Sequence, residues 1–167
     1  MYLVIDGYNL LHVNRSLTNL NSVQLQMERE RLIDQLSSYQ KLKPCGVTVV
    51  FDGWQQGWRT ETREKKKGVD VVFSKLGEKA DEVIKRLVKE KGSGTIVITS
   101  DRDVARFAQR MDVPVIPSEQ FREKLEEGPS DMLEENPEEE ERGIKKKGPS
   151  RRLSKKEKRT KAASRKL

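Results

Sequence analysis

Hydrophobic positions in the first 126 residues follow two alternating patterns. Short apolar runs rich in β-branched residues predict buried strands at 2–5, 47–51, 69–73, 95–99 and 113–116. Apolar residues at helical spacing predict helices between the first two strands from about Ser22, and over 78–91, 102–110 and 118–126. Strands that alternate with helices predict an α/β fold with a mainly parallel sheet.

Residues 53–68 follow neither period, and we predict a loop there. The segment collects two indoles and five cations, namely Trp54, Trp58, Arg59, Arg63, Lys65, Lys66 and Lys67. Cations contact phosphates and indoles stack on bases, so these seven residues are candidates for RNA binding. The alternative is an ordinary solvated loop, because a run of charge is a weak signal by itself.

The charge of the chain is concentrated at its C-terminal end. The net charge is +7 over 167 residues, but residues 142–167 carry 13 basic residues and one acid, whereas residues 119–141 carry 11 acids and two basic residues. Few apolar residues follow position 126. We therefore predict a folded domain at 1–126 and a disordered tail at 127–167, acidic and then basic, whose basic part suits polyanions.

The cysteine and histidine content and the length of the apolar segments restrict the class of metal site and the cellular compartment. One cysteine, Cys45, and one histidine, His12, give no soft-metal cluster and no intramolecular disulfide. Neither a signal segment nor an apolar stretch of about 20 residues, the length of a membrane span, is seen. We expect a cytoplasmic protein with no membrane contact.

Five aspartates stand near predicted strand ends or helix starts. Asp6 and Asp52 each follow a strand, Asp101 and Asp103 follow the strand TIVIT, and Asp81 lies near the start of a helix. The carboxyl ends of parallel strands meet at one edge of a sheet, so these carboxylates are expected to converge. Each aspartate taken alone is better explained as a turn residue or a helix cap, and it is their shared location that favours a function.

Converging carboxylates repel one another, and a hard divalent cation such as Mg²⁺ or Mn²⁺ relieves the repulsion. Such a cation activates water and neutralises a phosphodiester, which is a route to hydrolysis of nucleic acids. Asn9 is placed to hydrogen-bond a ligand or to cap a helix. A lone histidine such as His12 is more simply a packing or turn residue.

Four ordered motifs then suggest a family. DGYN at 6–9, VVFDG at 49–53, KAD at 79–81 and TSDRD at 99–103 resemble the NYN family of PIN-like ribonucleases, and within it the bacterial YacP-type group. The resemblance covers about residues 1–125. It implies a PIN-like three-layer α/β/α sandwich with a central, mainly parallel sheet.

The resemblance also implies an activity and a site. It implies an endoribonuclease dependent on Mg²⁺ or Mn²⁺, with Asp6, Asp81, Asp101 and Asp103 as catalytic metal ligands and Asn9 beside them; Asp52 is left to line the groove. For the YacP-type group it further implies cleavage of mRNA on translating ribosomes. The charged tail lies outside the motifs, so the resemblance implies no role for it.

Two other functions remain open from the residues alone. The chain could be a non-catalytic RNA- or ribosome-binding module that uses the basic loop and the tail, with the acids as caps. It could also be another metal phosphohydrolase on a doubly wound sheet. Against the second, DGYN has no second acid two residues after Asp6, as a phosphoaspartyl mechanism would need.

Overall fold

A computed structural model describes residues 1–13, 17, 19–53 and 59–126. Strands and helices alternate along most of this part of the chain. The elements are β1 (Tyr2–Asp6), α1 (Gly7–His12), α2 (Ser22–Leu42), β2 (Gly46–Phe51), β3 (Thr62–Lys66), β4 (Val69–Phe73), α3 (Ala80–Lys91), β5 (Thr95–Ile98), α4 (Arg102–Arg110), β6 (Val115–Ile116) and α5 (Ser118–Glu126).

The strands form one sheet in the order β3-β4-β2-β1-β5-β6. Every pair is parallel except β3 with β4. Strand β1 is central, with Ile5 beside Val49 of β2 on one side and Ile98 of β5 on the other. The predicted α/β fold with a mainly parallel sheet is therefore confirmed, and the carboxyl ends of β1, β2, β4 and β5 share one edge.

Helices cover both faces of the sheet, so two apolar cores form. Alternate side chains of the strands, such as Leu3 and Ile5 of β1, pack with α1, α2 and α5. The side chains between them, such as Val4, pack with α3 and α4. Strands buried on both faces are continuous apolar runs, which is why the sequence revealed them clearly.

The prediction of a loop over 53–68 was wrong for its second half. Residues Thr62–Lys66 form β3, an antiparallel edge strand that pairs with β4. The two strands are joined by Lys67 and Gly68, both at positive φ (52° and 93°), as in a type I′ hairpin turn. An edge strand that exposes charged side chains has no apolar alternation, and it discourages pairing with other chains.

Several predictions fall outside the described residues. These are the indoles Trp54 and Trp58 and the whole of the tail at 127–167. Helix α1 was not predicted, because six residues are too few to establish a helical period. No helix among the described residues is long and apolar enough to cross a membrane.

Gly53 joins β2 to the segment that follows it, and its place depends on the absence of a side chain. A Cβ atom here would overlap the backbone carbonyl of Ser74, while the Gly53 N–H donates to the Ser74 Oγ at 3.1 Å. We expect Gly53→Ala to lower the free energy of unfolding by about 1–3 kcal/mol, the usual cost of overpacking. Thermal unfolding measures this loss, with Gly77→Ala, at an open position with positive φ, reporting backbone strain alone. Equal losses in both variants would contradict the steric explanation.

Candidate active site

Asp6, the last residue of β1, and Asp52, which follows β2, lie on the same face of the sheet. Side chains alternate along a strand, so Asp6 continues the face of Val4, and Asp52 continues that of Val50. Val4 and Val50 pack against α3 and α4. The same helices begin beside this edge with Asp81 in the first turn of α3 and Asp101 at the N-cap of α4.

Asp6 is the buried member of this group, with 7% of its surface exposed. Its Oδ1 accepts the Asn9 N–H at 3.1 Å, and its Oδ2 accepts the Thr99 hydroxyl at 3.3 Å. Burial raises the pKa of Asp6 to about 6; the carboxylates of Asp81 and Asp52 add to the rise, and the two hydrogen bonds oppose it. The folded protein thus disfavours a negative charge at this position.

Asp81 faces the same electrostatic problem as Asp6. Burial raises the pKa of Asp81, and the nearby carboxylates of Asp101 and Asp52 raise it further, against the opposing charges of Lys85 and Lys79. Asp52 Oδ1 also accepts the N–H of Ala80, the first residue of α3, at 2.6 Å. Asp52, left aside by the resemblance, is therefore part of the electrostatically coupled group.

Asp101 and Asp103 have different surroundings although only one residue separates them. Asp101 Oδ1 accepts the N–H groups of Asp103 and Val104 at 2.8 and 2.9 Å and so caps α4. The exposed Asp103 carboxylate pairs with Lys85 at 3.1 Å, and this hydrogen bond holds the pKa of Asp103 below its ordinary value. The structure groups Asp101 with Asp6, Asp81 and Asp52, whereas it pairs Asp103 with a cation.

We call Asp6, Asp52, Asp81 and Asp101 the acidic cluster. Within the described ranges, no three His, Cys, Asp or Glu side chains are placed to hold a single metal ion together. Mg²⁺ commonly keeps several waters and binds through one or two carboxylates plus substrate phosphates. The donor set of the cluster, which consists of carboxylate oxygens, therefore suits that cation without forming a complete protein cage.

Asn9 connects three elements at the edge of the sheet. Its Oδ1 accepts the Ser100 N–H at 2.9 Å and the Ser118 hydroxyl at 2.8 Å, while its own N–H donates to Asp6. Ser100 in turn donates its hydroxyl to Glu119 of α5 at 2.5 Å. Asn9 thus fixes the turn that leads into Asp101, which makes it a positioning residue. His12 is exposed at the end of α1.

The predicted RNA-binding cations do not all lie near the acidic cluster. Strand β3 runs antiparallel to β4, so Thr62 opposite Phe73 is at the carboxyl edge, and Lys66 opposite Val69 is at the other end. Four residues of strand separate these ends by about 13 Å. Arg63, next to Thr62 in the sequence, is therefore closer to the carboxyl edge of the sheet than Lys65, Lys66 and Lys67, and Arg59 precedes Thr62 in the chain.

Four of these cations already have carboxylate partners. The pairs are Arg63 with Glu61 (2.6 Å), Lys65 with Asp70 (3.9 Å), Lys66 with Glu64 (3.2 Å) and Lys67 with Asp34 (2.6 Å). Surface pairs of this kind are worth about 0–1 kcal/mol, so a phosphate can replace the carboxylate at low cost. RNA binding by these residues stays a prediction.

Comparisons with known proteins identify the family. The profile described as YacP-like NYN domain matches residues 3–166. The chain belongs to the YacP-like NYN domain family. The match continues through the charged C-terminal segment, beyond the motifs that carried the resemblance.

Individual relatives agree with this family assignment. The chain is 32% identical over 87 residues, 52% of its length, to the uncharacterized protein YacP of Bacillus subtilis (strain 168), and spans about half of that relative. Two crystal structures of Rae1 (YacP) from the same organism, the second of them a mutant with a single substitution, have TM-scores of 0.60 and 0.62. Their identities to the chain are 26% and 25%, over 76% of this chain and about three quarters of theirs. This membership supports a nuclease-type fold.

Proposed function

We propose that this YacP-like NYN protein is a divalent-metal-dependent endoribonuclease that hydrolyses phosphodiester bonds in single-stranded RNA. The observation that carries the proposal is the acidic cluster at the carboxyl edge of the sheet. Its members come from β1, the β2 turn, α3 and α4. Burial raises the pKa of Asp6 and Asp81, and the neighbouring carboxylates of the cluster raise it further. A cluster maintained against its own repulsion is typical of a site that binds a cation.

Mg²⁺ or Mn²⁺ fits the chemistry of the donors. Asp6, Asp81 and Asp101 would hold the cation, directly or through water, with Asp52 beside them. When bound, the cation would activate water as the nucleophile and neutralise charge on the scissile phosphodiester. Asp103 is assigned an assisting role only, because its carboxylate is paired with Lys85.

The remaining residues of the edge keep the acids in place. Thr99 donates to Asp6 and accepts the Asp101 N–H at 3.0 Å, so one hydroxyl connects two members of the cluster. The side-chain oxygen of Asn9 accepts the Ser100 N–H and so restrains the turn that precedes Asp101. These contacts restrain the acids before substrate arrives, which lowers the cost of assembling the site.

The substrate we propose is mRNA on translating ribosomes in the cytoplasm. The support is the YacP-type resemblance, together with the excess of basic residues over 142–167, which suits a polyanionic partner. A reducing compartment also suits a chain whose only cysteine is Cys45.

Mapping of 5′ ends tests the chemistry and the partner together. A reporter mRNA is incubated with the full chain, as naked RNA and in an active translation extract, with Mg²⁺ or with EDTA. We expect discrete new 5′-phosphate ends that require Mg²⁺ and the Asp101 carboxylate, and that arise in the translated sample. Ends of equal strength on naked RNA would contradict the ribosome as partner. RNA or ribosome binding with no new ends in any sample would favour a binding module instead.

A further inference from the structure

Helix α2 buries an arginine that has no hydrogen-bond acceptor on two of its nitrogens. Arg29 is 4% exposed, and within the part of the chain that the structure describes its Nε and Nη1 atoms donate to nothing. The hydroxyl of Tyr8, on α1, is likewise buried without a partner there. Three buried donors thus lack an acceptor in one region of the fold.

These donors belong to the face of the sheet opposite to that of Asp6 and Asp52, and a chain of aromatic contacts leads from them to Phe51. The Arg29 guanidinium lies 5.6 Å from the centre of the Phe73 ring, Phe73 stacks on Phe51, and Tyr8 meets Phe51 edge to face. Phe51 immediately precedes Asp52. The Tyr8 phenol interacts electrostatically with both Arg29 and Asp52, which connects the buried donors with the acidic cluster.

A buried charge without a partner is costly. A buried donor that lacks a hydrogen-bond acceptor destabilises the fold, and the cost is greater where the donor is charged. The Phe73 ring offsets part of this cost through a cation–π contact, but it accepts none of the N–H bonds. Such a group is least destabilising where a bound anion accepts its hydrogen bonds.

We propose that Arg29 and Tyr8 bind a backbone phosphate of the RNA substrate, next to the phosphodiester at the acidic cluster. The inference rests on the proposed function for its ligand. A guanidinium donates two parallel N–H bonds to a phosphate, and a phenol adds a third donor. An RNA strand would then cross the edge of the sheet with one phosphate at the cluster and a neighbouring one at Arg29.

Substitution of single phosphates by neutral methylphosphonates tests this site. A short fluorescent single-stranded RNA is prepared as a series with one neutral linkage at each position in turn. Binding to the full chain is measured by anisotropy in EDTA, so that cleavage plays no part. We expect one position to weaken binding to the wild type by about 10-fold, the scale of a charged hydrogen bond.

The variants assign that position to its protein partner. Arg29→Met should bind the natural RNA about 10-fold more weakly and lose no further affinity when that linkage is neutral. Tyr8→Phe removes only a hydroxyl and should give a smaller loss at the same position. Arg31→Met is the matched control, because Arg31 lies on the same helix, is exposed and pairs with Glu28; it should keep the wild-type response.

Stability measurements separate binding from packing. Without RNA, Arg29→Met should unfold at a temperature no lower than the wild type, because it removes an unpaired buried charge. The inference is overturned if Arg29→Met and Tyr8→Phe both keep the full sensitivity to the neutral linkage, or if no linkage matters to the wild type. A wild type that shows the sensitive position but cleaves no RNA would leave the phosphate site standing and reject the endonuclease.

Discussion

Asp101→Asn is expected to abolish RNA cleavage while leaving the fold intact. The substitution removes a negative charge from the acidic cluster but keeps the Oδ1 that accepts the Asp103 and Val104 N–H groups. Asparagine and aspartate are about equally good N-caps, so α4 should begin as before. Loss of an outer-shell partner of a metal costs 10–100-fold in activity as an order of magnitude, and loss of a ligand should exceed about 100-fold.

Initial rates of cleavage in saturating Mg²⁺ and circular dichroism melting provide the two readouts. Asp34→Asn is the matched control, because Asp34 is an exposed aspartate of α2 that pairs with Lys67. It should retain the wild-type rate. Undiminished cleavage by Asp101→Asn would remove Asp101 from the site, and a large fall in its melting temperature would attribute the lost activity to unfolding.

The strands that the sequence predicted well are those buried on both faces. Residues 2–5, 47–51 and 69–73 are apolar runs because α1 and α2 cover one face and α3 covers the other. Strand β3, with the sequence TREKK, gave no such signal, because an edge strand owes its place to backbone pairing with β4. The Lys67-Gly68 turn also differs from the Asn-Gly pair by which short hairpins are usually recognised.

The acidic cluster could be anticipated from strand order, but its membership required geometry. Alternation along β1 and β2 places Asp6 and Asp52 on one face. Strand order alone therefore included Asp52 among the converging acids, whereas the family resemblance left it to line the groove. Asp101 and Asp103 cannot be separated by strand order. Asp101 caps α4 and Asp103 turns toward Lys85, because residues two positions apart at the start of a helix face different directions.

Arg29 shows a signal that sequence reasoning overlooked. It falls between Leu25 and Leu32 at helical spacing, in line with the buried stripe of α2. A charged residue within an apolar stripe predicts either a buried ion pair or a ligand. The sequence carries this pattern, but only the structure shows that two of the guanidinium nitrogens have no acceptor among the described residues.

Asp6→Asn is expected to stabilise the metal-free protein at neutral pH although it should abolish cleavage. The pKa of Asp6 is raised from 3.8 to about 6 in the folded state, so between these values the folded chain holds more protons than the unfolded chain. Stability therefore falls as pH rises through this window and is level above it. The cost of the ionised carboxylate at pH 8 is about 3 kcal/mol, and asparagine avoids it.

Thermal melts in EDTA from pH 4 to pH 8 measure this effect. The two proteins should melt alike near pH 4, and Asp6→Asn should melt about 10 °C higher at pH 8, given a few degrees per kcal/mol for a domain of this size. Mg²⁺ should then stabilise the wild type, by about 2.7 kcal/mol at 100 times its Kd, and the variant much less. A difference in melting temperature that stays the same at all pH values would contradict the raised pKa of Asp6. A difference in melting temperature that grows with pH and disappears in Mg²⁺ would show that the carboxylate destabilises the fold except when a cation is bound.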